Sequence, residues 1–209
     1  MKKIVLIMMM STQPLMFLKA QTITGQYYLH GVMETASGFK FNADLTFAFF
    51  YSYGAIDRAG SGTYTIKDNH VILNSIGRNE KDFKLIKSKH NSYDGVTIKI
   101  TDANAMARKY VSCSIATAEG MQRAQTNEDG IAQFQKQQAD SIILIHLLFP
   151  DRPSIFQITG KSDNYFEFTI EPTIVNVYFH NLTLKISEVE LTGGHPLIEG
   201  DQFHYEKEE

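Results

Sequence analysis

The stretch FFYSYGAIDRAGSG, residues 49–62, carries the side chains best suited to holding a ligand. Tyr51, Tyr53, Asp57 and Arg58 place two rings and a charge pair at a turn beside a strand. Rings stack on sugars or cover apolar ligands, and loops on a rigid scaffold commonly carry function. The plainer reading is a hairpin turn with an exposed ion pair, which contributes little. These four residues are the candidate ligand-binding set.

A second stretch, TNEDGIAQF (126–134), invites a metal reading. Calcium loops need oxygen ligands at alternate positions, a central glycine and a closing glutamate. Asn127 and Asp129 precede Gly130, but no glutamate closes the loop at the required distance. Glycine after aspartate suits a turn residue with positive φ, with Ile131 opening the next strand. The seven histidines are scattered, without the spacing of a metal pair. His146, inside ILIHLLF, reads as a core histidine with a hydrogen-bond partner, and His195, in GGHPL, as a turn residue. Cys113 alternates with Val111 and Ile115, which makes it a buried thiol and not a nucleophile. No G-x-S-x-G motif and no phosphate loop occurs. Carboxylates such as Glu34, Asp44 and Asp57 could pair as in glycosidases, but one sequence does not say which lie close. No catalytic residue, metal or cofactor is therefore assigned.

The elements that must position these residues are strands. Apolar residues alternate at Leu45, Phe47, Phe49 and Tyr51; at Val96, Ile98 and Ile100; at Val111, Cys113 and Ile115; and at Phe166, Phe168 and Ile170. A period of two in β-branched and aromatic runs is the strand signal. SIILIHLLF is apolar on both faces, as a central covered strand would be. No convincing helix of about ten residues stands out against the usual helix pattern; GRNEKDFKLIKSK is the best candidate and also reads as a loop and a strand. Between Leu182–Ile186 and Val189–Leu191 the apolar parity flips, which asks for a β-bulge near Ser187–Glu188 or for two strands. The expected class is all-β: a small antiparallel meander or barrel in residues 21–87, a polar linker at 88–94, and a Greek-key β-sandwich in 95–209.

Residues 1–20 read as a secretory signal peptide: Lys2 and Lys3, a short apolar run broken by Ser11–Pro14, and Ala20 before the cut. A spanning helix needs about 20 consecutive apolar residues. Cleavage removes three lysines and no acid, taking the formal charge from -3 to -6. That balance argues against nucleic acid or an anionic membrane as partner. The single cysteine leaves no intrachain disulfide, so in the periplasm or outside the cell the fold stands on its core.

Residues 95–135, VTIKITDANAMARKYVSCSIATAEGMQRAQTNEDGIAQFQ in their main part, resemble the carboxypeptidase-regulatory-like domain, a transthyretin-type β-sandwich. Asp102 and Asn104 stand at its first turn; Thr126, Gly130 and Phe134 fit its second. Ala105 lies where glycine is usual, and Asn127 replaces the usual aspartate. Residues 22–87, with GQYYLHG, FKFNADLTFAFF and GSGTYTIKDNHVIL, look lipocalin-like. The whole chain resembles small secreted proteins of Bacteroidota. The first resemblance implies a non-catalytic module. The expectation is a secreted binding or scaffolding protein whose partner is a protein, a glycan or a small apolar ligand. The alternatives are a lipocalin-like carrier of a small apolar ligand and a hydrolase with an unrecognised carboxylate site.

Overall fold

The computed structural model describes residues 22–77, 81–135, 138–159 and 162–208; the proposed signal peptide lies outside them. The protein is built almost wholly of strands. The first five form a meander: β1 (Gly25–His30), β2 (Thr35–Phe41), β3 (Thr46–Tyr53), β4 (Ile56–Lys67) and β5 (His70–Asn74). Its turns follow from local chemistry. Asp68 and Asn69 both take positive φ, 48° and 62°, in the two-residue turn between β4 and β5, the conformation whose twist matches a hairpin.

The chain then leaves this meander. It makes β6 (Phe83–Lys89), β7 (Val96–Thr101), a short helix α1 (Ala105–Lys109), β8 (Val111–Thr117), β9 (Gly120–Gln125), β10 (Ile131–Phe134), β11 (Ser141–His146), β12 (Phe149–Gln157) and β13 (Tyr165–Ile170). These strands form two four-stranded sheets, ordered β10-β7-β13-β6 and β12-β11-β8-β9. Val96, Ile98, Ile100, Phe166 and Phe168 of one sheet pack with Val111, Cys113, Ile115, Ile142 and Leu144 of the other in a single apolar core. That is a β-sandwich.

After a 3-10 turn at Pro172–Val175 the chain returns to the meander as β14 (Asn176–Val177), β15 (Leu182–Ile186), β16 (Glu190–Gly193) and β17 (Phe203–Lys207). β17 pairs antiparallel with β1, β16 with β17, β15 with β16, and β5 with β15. Since β4 also pairs with β5, eight antiparallel strands close into a barrel, and β14 adds in parallel on the outside of β4. Gly60 permits that addition: a Cβ there would sit 2.8 Å from the Val177 carbonyl and 2.6 Å from the Phe179 ring.

This pairing corrects the expected order of units. The sandwich does not follow the barrel. It is inserted between β5 and β15, and the segment expected to complete a sandwich to residue 209 instead supplies three barrel strands. The polar stretch at 88–94 lies inside the inserted unit, covering the end of β6 and the connection to β7, and is not a linker between units. Closure explains the preference, because a five-stranded meander alone would leave two unpaired edges.

Two local expectations also change, and two readings left open by the sequence are decided. Leu45 has φ 64° and is exposed, so the inward face of β3 begins at Phe47. SIILIHLLF is two strands: β11 ends at His146, Leu147 and Leu148 form an exposed turn, and Phe149 pairs back with His146. The parity flip after Ile186 is a hairpin between β15 and β16, closed by Ser187 N–H donating to the Glu190 carbonyl at 2.9 Å. GRNEKDFKLIKSK, where described, contains the edge strand β6.

Candidate functional site

The barrel is filled with rings. Phe39 lies within 6.4 Å of Phe41, Phe47, Phe49, Phe179 and Tyr205, centroid to centroid. Tyr27, Tyr64 and the aliphatic side chains of β5, β15 and β16 complete the interior. One end is closed by the turn after β16. There the His195 ring meets Phe49, Tyr51 and Phe203 at 5.6–5.7 Å and stacks on Tyr205 with an 8° interplanar angle. The Tyr205 hydroxyl donates to the Gly194 carbonyl and pins the turn.

His195 and Ser37 form a contact that resembles a nucleophile and base, with Nε2 3.0 Å from Oγ. Its polarity is the reverse of what catalysis needs. His195 Nδ1 accepts the Leu197 N–H at 3.0 Å, so a neutral ring carries its proton on Nε2. Ser37 Oγ gives its own proton to the Phe50 carbonyl at 2.8 Å. Nε2–H therefore donates to the serine and cannot take its proton. Burial pushes the His195 pKa down to about 4, and Ser37 itself is buried. The pair is a plug for the barrel mouth.

The open space lies just outside this plug, where the inserted sandwich leans on the barrel. A cleft of about 460 Å³ is walled by Tyr51, Ile56 and Arg58 from the barrel strands, by Leu148, Pro150 and Asp151 from the β11–β12 turn and β12, and by His195 to Glu199 from the turn after β16. A neighbouring hollow of about 570 Å³ shares Asp151, Pro196 and Leu197 and continues past Arg152 and Tyr178. Volumes of this size suit small ligands.

Strand register decides which predicted residues meet. Tyr51 stands directly across from Arg58, and both point to the cleft side. Asp57 pairs with Ser52, one residue over, and so faces the opposite side. The expected Asp57–Arg58 charge pair does not form. Tyr53 is exposed at the strand end and does not line the cleft.

Arg58 pairs instead with Asp151. Nη1 and Nη2 donate to its two carboxylate oxygens at 2.6 and 3.1 Å, while Nε and Nη2 donate to the Val175 and Asn176 carbonyls. Partial burial works to raise the Asp151 pKa, but the Arg58 hydrogen bonds and charge outweigh it and hold the carboxyl below its usual range. Next along β12, Arg152 donates to the Asp82 carboxylate and to the Thr173 carbonyl, and lies over the Tyr178 ring. Asp82 and Thr173 flank the two crossings between barrel and sandwich. Burial dominates at Asp82 and pushes its pKa up to about 6 against the pull of Arg152. Desolvation therefore offsets much of what that ion pair contributes.

Tyr51 and Arg58 are the two sequence candidates that reach the cleft. Sequence reasoning missed Asp151, Pro196 and the role of His195. The signals were an aspartate between two prolines in FPDRP, and a histidine held between Gly-Gly and Pro in GGHPL. The first opens strand β12 and the second follows the end of β16.

Among the described residues no group of three or more His, Cys, Asp or Glu side chains is placed to hold a metal ion, and the NEDG stretch forms a turn held by its own side chains. Asn127 Oδ1 accepts the N–H groups of Asp129 and Ile131, and Gly130 has φ 74°. His146 is buried, with Nε2 on the Ala107 carbonyl and Nδ1 accepting Leu148 N–H. Cys113 is fully buried, and desolvation pushes its thiol up to about 12. No helix among the described residues is long and apolar enough to cross a membrane.

Comparison of the chain with protein-family models, with curated proteins and with solved structures finds no match, so its fold and its cleft are the grounds on which a function is argued.

Proposed function

We propose that the chain is a secreted, non-catalytic binding protein, acting in the periplasm or outside the cell, which holds a small partly apolar ligand in the cleft between barrel mouth and inserted sandwich. One observation carries this reading: Tyr51 and apolar residues of both units converge on an open cleft, while the barrel interior is filled. A lipocalin-like carrier would hold its ligand inside the barrel, where the rings of Phe39, Phe49 and Phe179 already pack. The reversed polarity of the Ser37–His195 contact speaks for binding over acyl transfer.

The test uses the mature chain, residues 21–209, and N-phenyl-1-naphthylamine, an uncharged apolar fluorophore that brightens out of water. Saturable binding is expected, weakened at least about tenfold by Tyr51→Ala and by Leu148→Glu, a difference of about 1.4 kcal/mol. Absence of saturable binding, or binding indifferent to both substitutions, overturns the reading. Secretion is tested separately by mass spectrometry of protein from its native host, where an N-terminus at Gln21 is expected.

A further inference from the structure

We infer that the cleft selects ligands that join an apolar body to a cationic head. The inference rests on the cleft being the binding site and adds the chemical class of its ligand.

The apolar part is plain: Ile56, Leu148, Pro150, Leu197 and Ile198 all line the space, and Leu148 is 38% exposed. The polar part decides the head group. Three charged residues border the cleft: Arg58, Asp151 and Glu199. Arg58 makes four hydrogen bonds to protein oxygens and lies 5.4 Å from the centroid of the Phe149 ring. It is 6% exposed, so it presents no unpaired cation to a ligand. His195 is neutral at physiological pH, with both ring nitrogens engaged. An anionic head would find no charge partner here and would lose its hydration.

The acceptors are in surplus. Arg58 and Asp151 cancel, which leaves the Glu199 carboxylate as the net charge of the cleft. Glu199 is exposed and has no hydrogen-bond partner among the described residues. Asp151 keeps 39% of its side chain exposed, and a carboxylate offers more lone pairs than the two that Arg58 engages. Burial raises the Tyr51 pKa, so its hydroxyl stays protonated; among the described residues it makes no hydrogen bond. Its ring face can also take a cation. An ammonium group, with three donors and a positive charge, matches a carboxylate, a phenol and a ring.

Competition against the bound fluorophore tests this. Decylamine, decanol and decanoate share a ten-carbon body and differ in head group; at pH 7.5 the amine is protonated. Decylamine is expected to displace the fluorophore at a concentration at least about tenfold lower than decanoate, with decanol between them. Glu199→Gln, at an exposed position, should cut the ratio of decylamine to decanoate to below about threefold, and raising the salt should compress it in the parent. Equal displacement by the three, preference for decanoate, or an unchanged ratio in Glu199→Gln overturns the charge selectivity while leaving the cleft as an apolar site. If the fluorophore itself fails to bind, the reading of the cleft falls first and the selectivity falls with it.

Discussion

Arg58 of the barrel and Asp151 of the inserted sandwich lie 93 positions apart and meet through two parallel hydrogen bonds of 2.6 and 3.1 Å. The contact ties the inserted unit to the barrel wall and forms the floor of the cleft at the same time. Fork-to-fork pairing of this kind fixes orientation as well as distance. Removing the carboxylate leaves a buried guanidinium with only carbonyl partners. Asp151→Ala should therefore lower stability in urea melts by about 1–3 kcal/mol, below the full loss for a buried ion pair because Asp151 keeps contact with water. Fluorophore binding should weaken in the same variant.

The pH dependence of stability contains two opposing contributions. Asp82 has a folded pKa of about 6 against 3.8 for a free carboxyl. Its contribution is present below about pH 4 and is lost as pH rises through 6. His195 has a folded pKa of about 4 against 6.5. Its contribution is present above about pH 6.5 and is lost as pH falls through 4. In the parent the two offset each other between these limits. Asp82→Asn should then lose stability as pH falls from 6.5 to 4, and His195→Gln should gain it over the same window, relative to the parent. Urea midpoints at half-unit steps of pH check this; parallel profiles for all three proteins would rule it out.

Independent folding should follow the pairing and not the chain order. Residues 82–171 contain both sheets of the sandwich and their shared core, so this fragment should unfold cooperatively. Residues 95–209 lack β6 and carry β15–β17 without β1 and β5, their partners in the closed barrel. That fragment should show no cooperative thermal transition.

At the NEDG turn, Gly130 has φ 74° and a Cβ there would sit 2.4 Å from the Ile100 carbonyl. Gly130→Val should cost at least about 2 kcal/mol, combining left-handed strain with a backbone clash. Asp129→Ala should cost less than about 1 kcal/mol, because the turn is held by Asn127 and the Asp129 carbonyl receives Lys99 whatever the side chain. Melting temperatures of the parent should not move on adding calcium or chelator.

The sequence by itself determined what is local. The alternation in YFEFTI, VSCSI and VTIKI placed Phe166, Phe168, Cys113 and Ile98 in the core because side chains on a strand change face at every residue. NEDG and KDN determined their turns because left-handed backbone favours glycine, asparagine and aspartate. Tyr51 was marked as a ring at a strand end, and it lines the cleft. Only the tertiary structure decided which strands pair. β1 and β17 are about as far apart as the chain allows, and nothing in GQYYLH or FHYEK names the other, since a ladder bonds backbone to backbone. Barrel closure turned two expected consecutive units into one inserted in the other. The same long-range pairing gave Arg58 its partner in Asp151, whereas the local alternation of β4 had already put Asp57, its neighbour in sequence, on the other side of the strand.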